Sequence, residues 1–198
     1  MTDLHPMAWA DETANWMGES LRAAAPKAKL VSDTRALRPG DWLVVRPGQQ
    51  WPLERILGAA MAGEPGGLVV DSVDRPAVEQ WLMTQPTQRF NGVLGVRDLP
   101  RLAKRMGHLA SAFYGHPSRQ MDITAVTGTN GKSTVVHLLA QAWARLGHHC
   151  ASIGTLGVRS FHPDSSQREW AEPGLTSWDA VSLHGLLEAL LQAGVTHV

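Results

Sequence analysis

The sequence predicts an α/β protein in two parts: a small α/β domain over residues 1–118, then a parallel, doubly wound phosphate-loop domain over residues 119–198 that is truncated. Three observations carry the prediction. Apolar runs of strand length alternate with amphipathic stretches of helix length, the order that builds parallel sheets. The turn-rich segment Gly115-His116-Pro117-Ser118-Arg119 interrupts that alternation. A glycine-rich run bearing a lysine then stands directly between a strand pattern and a helix pattern. At 198 residues and 43% hydrophobic content, the chain is long enough for one large domain or two small ones.

In the first part, Lys29–Val31, Trp42–Val45, Leu68–Val70 and Val93–Val96 read as strands. Helices are expected at Leu53–Met61, Pro76–Met83 and Leu99–Tyr114, the last with Asp98 as its N-cap. In the second part, Met121–Val126 reads as a strand, Lys132–Leu146 as a helix closed by Gly147, and Cys150–Ile153 as another strand. A loop is expected from Gly154 to Leu175. Trp178–Gln192 follows as an amphipathic helix, with Leu183, Leu186, Leu187, Leu190 and Leu191 along its apolar side. Gly194 ends it, and Val195–Val198 begins a third strand. A parallel sheet needs cover on both faces, and three strands are few for one. The expectation is a domain cut off partway.

Composition excludes several function classes. Lys+Arg and Asp+Glu both number 18, so the chain has no electrostatic footprint for nucleic acid and no polybasic membrane patch. Cys150 is the one cysteine, which excludes an internal disulfide framework and fits a reducing cytoplasm. No apolar run approaches the roughly 18 residues of a membrane span. Met1 to Asp11 lacks the basic start and apolar core of a signal peptide. The expected setting is cytoplasmic, with no nucleic acid bound and no membrane insertion.

The strongest chemical signal is Thr127-Gly128-Thr129-Asn130-Gly131-Lys132-Ser133-Thr134. Gly128 and Gly131 let the backbone turn sharply and aim its N–H groups at an anion. Lys132 supplies a point charge to outer phosphates. The Ser133 hydroxyl is placed to ligate magnesium, and Thr134 can donate to a phosphate at the helix N-terminus. Val126 stands five residues before Gly131, where the general phosphate-loop spacing has glycine, so the loop is a shorter variant.

Ile123-Thr124-Ala125-Val126 and the run that follows resemble the Mur ligases and their folylpolyglutamate synthetase relatives. Two further stretches narrow the resemblance. Ile153-Gly154-Thr155-Leu156-Gly157, with Leu175-Thr176-Ser177-Trp178-Asp179-Ala180 beyond it, is similar to the paired motifs of MurE-type enzymes. Ser32-Asp33-Thr34-Arg35 with Arg38-Pro39-Gly40-Asp41 resembles the start of their uridine-nucleotide domain. The resemblance implies an ADP-forming ligase of peptidoglycan synthesis. Such an enzyme uses ATP and magnesium to add a diamino acid to UDP-N-acetylmuramoyl-L-alanyl-D-glutamate through an acyl phosphate, meso-diaminopimelate ranking ahead of L-lysine.

Carried over by position, the resemblance makes Gly128, Thr129, Asn130, Gly131, Lys132, Ser133 and Thr134 the ATP-binding set. Lys132 is the catalytic cation and Ser133 the metal ligand. Thr34 stands where the family contacts uracil, Gln49 and Gln50 where it reaches the nucleotide sugar or diphosphate, and Thr176 and Ser177 where it holds the muramoyl peptide. Gln49 replaces a histidine, Trp51-Pro52-Leu53-Glu54 replaces a glycine-bearing turn, and Trp178 replaces a proline. The family's glutamate-bearing metal segment, its carbamoylated lysine and its third domain have no counterpart before Val198. The resemblance therefore implies a fragment that does not turn over alone, associated or fused with another Mur ligase, or else a non-catalytic relative that binds nucleotide or UDP-sugar.

Other candidates read more plainly. His148-His149-Cys150 is expected to be a solvated turn rather than a metal cluster, since adjacent side chains diverge and no second ligand pair is suitably spaced. Cys150 is expected to be a small buried strand residue without a base partner. Trp42 and Trp143 are expected in the core, whereas Trp51 and Trp178 flank the substrate segments. His137, one turn into the helix after the loop, is assigned no role.

Overall fold

The computed structural model describes residues 11–48, 51–85, 95–164, 166–171 and 178–198. The chain divides into two compact units, Met1–Gly115 with Ala180–Gly185, and His116–Asp179 with Leu186–Val198.

The first unit is built on a four-stranded, all-parallel sheet in the order β1 (Leu30–Val31), β2 (Trp42–Val44), β3 (Gly67–Asp71) and β4 (Gly95–Leu99). Side chains alternate across a strand, and here the alternation sorts two cores. Leu30, Trp42, Val44, Val69 and Leu99 face one side, where they pack with α1 (Glu12–Ala24) and α4 (Leu102–Phe113). Leu43, Val45, Leu68 and Val70 face the other, under α2 (Leu53–Ala62) and α3 (Arg75–Met83). Both faces of the parallel sheet are thus covered, as its unbroken apolar strands require.

Polar side chains clasp this unit at its turns. Asp41, 6% exposed, accepts from the Lys29 N–H at 2.7 Å and the Arg38 N–H at 3.1 Å, closing the Arg38–Asp41 turn in which Gly40 takes φ +87°. The Tyr114 hydroxyl accepts from the Leu30 N–H at 3.1 Å and donates to the Leu30 carbonyl at 2.9 Å. Trp42, Gly67 and Gly95 are register partners on adjacent strands, and the Trp42 indole lies over both glycines.

Two features of the first unit depart from the sequence expectations. Asp98 is not the cap of α4. It lies in β4, where it accepts from the Ser72 hydroxyl at 2.6 Å and pairs with Arg75. Asp71, at the end of β3, takes the capping task by accepting the Leu102 N–H at 2.8 Å. Helix α1, which the sequence reading left unassigned, is capped by Asp11 and buries Ala14, Met17, Gly18 and Leu21. Gly18 is there because a methyl group would collide with the Leu109 carbonyl of α4.

In the second unit, α5 (Lys132–Arg145) and β5 (Cys150–Gly154) lie where expected, but the stretch read as a loop after Gly154 contains two more strands. These are β6 (Gly157–Phe161) and β7 (Gln167–Ala171), both antiparallel, giving the order β5–β6–β7. The hairpin closes at the Gly154–Gly157 pair, with Thr155 and Leu156 forming its two-residue turn. Parallel pairing also occurs, with His197 bridging both Asp122 and Cys150. The predicted strands Met121–Val126 and Val195–Val198 contribute only these bridges and the bonds around them, such as Thr124 N–H to the Val198 carbonyl at 2.8 Å. Cys150 and Phe161 pack under Ala140 and Ala144 of α5. Ala151 and Val158 pack on the opposite side with Val195 and with Leu190 of α6 (Ala180–Gln192).

Candidate functional site

The loop of residues 127–131 leads from the extended Ile123–Val126 segment into α5. Its conformation explains its glycines. Gly128 has φ +149° and Gly131, the N-cap of α5, has φ +79°, in the left-handed region that disfavours any residue with a Cβ. The Gly131 carbonyl accepts the Val135 N–H at 2.9 Å, the first bond of the helix. Thr129, Asn130 and Thr134 are exposed. Open space lies beside Gly131: among the described residues other than its chain neighbours, nothing is within 4 Å of where a Cβ would stand.

Lys132 is exposed and turns back on its own loop. Its ammonium donates to the Gly128 carbonyl at 2.5 Å and lies 3.4 Å from that of Thr129. The Ser133 hydroxyl points the other way and sits 3.3 Å from the Thr155 hydroxyl in the hairpin turn. A cleft of about 180 Å³ opens between the start of α5 and the β5–β6 hairpin. Lys132, Ser133, His137, Ser152, Thr155 and Arg159 supply its polar wall. Arg159 pairs with Glu169 at 3.6 Å across the sheet. The structure therefore brings Lys132 and Ser133 to one opening and adds residues the sequence reading did not assign. Thr155 entered that reading only as part of a family motif, and the glycines framing its two-residue turn were the available signal. His137 is held edge-on against Phe161 at 5.1 Å.

Thr34 lies in the first unit, half-buried in the turn that follows β1, on the carboxyl side of the parallel sheet. Its neighbour Asp33 folds onto Arg35, whose side-chain hydrogen bonds hold the Asp33 carboxyl below its usual range. Gln49, Gln50, Thr176 and Ser177 lie outside the described residues. Trp51 is 52% exposed with Arg55 stacked 4.2 Å from its ring, while Trp178 packs into the core formed with Ala151 and Leu190.

The His148-His149-Cys150 segment is not uniformly solvated. His148 is exposed and stacks on His197 at 4.1 Å, but His149 stacks on His162 at 3.8 Å. The His149 Nε2 atom is buried with no hydrogen-bond partner among the described residues. Burial, with His162 beside it, lowers its pKa. Cys150 is fully buried, and burial pushes its thiol up to about 11. Such a thiol is not ionised near neutral pH and makes a poor nucleophile.

Comparison with known proteins shows what the chain is similar to. The Mur ligase middle domain matches residues 126–198. The chain is 33% identical over 176 residues to the UDP-N-acetylmuramoyl-L-alanyl-D-glutamate–2,6-diaminopimelate ligase of Janthinobacterium sp. (strain Marseille), covering 89% of this chain and 32% of that protein. It is 34% identical over 174 residues to the ligase of the same name from Alkalilimnicola ehrlichii, covering 87% and 33%. With that of Pseudomonas aeruginosa it shares 33% over 170 residues, covering 86% and 31%. The chain thus spans about a third of the length of these relatives. Residues 126–198, with the glycine-rich loop near their start, thus match the Mur ligase middle domain, in a chain similar over most of its length to part of the diaminopimelate-adding ligases.

Proposed function

We propose that this chain forms the nucleotide-binding part of an ATP-dependent ligase that adds a diamino acid, meso-diaminopimelate, to UDP-N-acetylmuramoyl-L-alanyl-D-glutamate in the cytoplasm. The observation that carries the reading is the loop itself. Its two glycines have positive φ, open space lies beside Gly131, and among the described residues the lysine at the mouth bonds to carbonyls of its own loop. The names of the similar ligases supply the reaction.

The chemical problem is bringing a carboxylate anion onto an anionic triphosphate. Backbone N–H groups of residues 128–134 and the dipole of α5 face the phosphates, and Lys132 swings from its loop carbonyls to the outer phosphate oxygens. Negative charge at the reacting phosphorus is thereby offset where the new bond forms. The D-glutamate carboxylate oxygen bonds to the γ-phosphorus as the bond to ADP breaks, giving an acyl phosphate. The amine of the diamino acid then attacks the acyl carbon, loses a proton and expels phosphate. Ser133 offers a hard oxygen suited to magnesium, an ion commonly held by one or two protein oxygens together with substrate phosphates. Magnesium, when bound, neutralises phosphate charge. Thr34, Gln49 and Gln50 take the uridine diphosphate sugar in this reading, and Thr176 and Ser177 the peptide. Association or fusion with another Mur ligase belongs to the same proposal.

Calorimetric titration with Mg·ATP and with UDP-N-acetylmuramoyl dipeptide tests it. Lys132→Ala should weaken Mg·ATP by about 1.5–3 kcal/mol, roughly ten- to a hundredfold, the value of a hydrogen-bonded charge. Thr34→Ala should weaken the UDP substrate and spare ATP. Unchanged ATP affinity in Lys132→Ala would overturn the loop assignment, and equal losses of both ligands in Thr34→Ala would overturn the uridine assignment.

A further inference from the structure

We infer that Thr155 is a positioning residue: its hydroxyl accepts the Ser133 proton and so turns a serine lone pair toward the cation that accompanies the nucleotide. This rests on the reading of Ser133 as the magnesium ligand. The two oxygens stand 3.3 Å apart, one on the first turn of α5 and the other in the β5–β6 turn. A hydroxyl carries one proton and two lone pairs, and a proton aimed at a cation would repel it. Ser133 can ligate only if its proton is sent elsewhere, and Thr155 Oγ1 is within reach to receive it. Partners of this kind, one step removed from the metal, orient the ligands and tune affinity.

The spacing is set by the core rather than by the loop. Cys150 and Phe161, on the two strands of the hairpin, are buried against Ala140 and Ala144 of α5. The Gly154–Gly157 pair then fixes where the turn projects. Gly128–Gly131 can rearrange around a phosphate while the Ser133–Thr155 distance is maintained from behind. Thr155 is itself exposed. A hydrogen bond between exposed hydroxyls adds little to folding because water replaces it readily. A loss of cation dependence on removing this hydroxyl is therefore separable from a loss of structure.

The experiment uses the 198-residue chain and a fluorescent ATP analogue, titrated at a series of magnesium concentrations and again in EDTA. Thr155→Val keeps the shape and removes the hydroxyl; Thr155→Ser keeps the hydroxyl. Thr155→Val should raise the magnesium concentration for half-maximal binding about tenfold, a typical effect of losing such a partner. Binding in EDTA and the urea midpoint should stay unchanged, and Thr155→Ser should restore the parent magnesium dependence. An unchanged magnesium dependence in Thr155→Val, an equal defect in Thr155→Ser, or an equal loss in EDTA would overturn the inference. Lys132→Ala and Ser133→Ala separate the two levels of the argument. If both bind Mg·ATP like the parent, or if the parent binds none, the nucleotide reading falls and this inference with it. If both are impaired while Thr155→Val is silent, only the positioning role is overturned.

Discussion

Glycine serves opposite ends in the two units. In the first, Gly67 and Gly95 are glycine because something is already there: the Trp42 indole lies across both, and a methyl at Gly67 would overlap its six-membered ring. In the second, Gly131 is glycine with no described residue beyond its chain neighbours within 4 Å of a would-be Cβ, and it is its φ of +79° that excludes a side chain. One site is filled by the protein; the other is held open by a left-handed backbone. The polar groups follow the same division. Asp41 and Tyr114 are buried and bonded to backbone, whereas Lys132 and Thr155 are exposed with partners that are easily exchanged. Buried, satisfied groups specify structure, while exposed groups with replaceable partners are available to a ligand.

Substitutions can break or sharpen this contrast. The largest effect belongs to Gly67→Ala, which forces the indole out of a packed core and should destabilise the chain by about 3 kcal/mol, the upper range for overpacking. Urea denaturation measures it; a loss below about 1 kcal/mol would mean the ring has room to move aside. Gly131→Ala meets no steric obstacle, so its direct cost is the left-handed backbone, about 1–2 kcal/mol. Its Mg·ATP affinity should nonetheless fall at least as far as that of Lys132→Ala, because relaxing the backbone re-aims the N–H groups. Retained affinity alongside reduced stability would remove the functional half of the contrast.

The smallest effect is a pH dependence. The pKa of His149 is lowered in the folded chain by burial and by His162, so below the ordinary histidine value of 6.5 the unfolded chain takes up this proton first. The stability associated with this ring is complete above that value and declines as pH falls from it toward the lowered folded value. In His149→Gln, urea midpoints measured from pH 7.5 to 5.5 should show a shallower decline than in the parent. A parallel profile would remove His149 from the account.

Much of the first unit was legible because its strands are short apolar runs bounded by turns, the pattern of a sheet buried on both faces. The glycine-rich turn into α5 was legible because Gly128 and Gly131 stand directly before a helix pattern. Helix α1 was missed: its buried face is made largely of Ala14, Met17 and Gly18, small or flexible groups chosen for close approach to α4 rather than for a strong apolar stripe. The β6–β7 hairpin was missed because β7 carries Gln167, Arg168 and Glu169, which look like loop until paired with β6. Asp98 precedes an apolar stretch as a helix cap does, yet the capping carboxylate is Asp71, thirty-one positions from Leu102 in the chain. Thr155 shows the same limit at the site, since a contact spanning 22 positions has no local signature.

The two Tyr114 bonds to Leu30 have a consequence for association. In a parallel pair the N–H and C=O of one residue point the same way, and the Trp42 N–H bonds to the Lys29 carbonyl, so Leu30 turns both its groups away from β2, toward the border of the sheet that the described strands form. A free border of this kind is a template for another polypeptide. A phenol oxygen, donor and acceptor at once, occupies both of those positions. Tyr114 therefore acts as a one-residue counterfeit of a neighbouring strand, closing the sheet to intermolecular extension at this point with a side chain that has no further edge to offer.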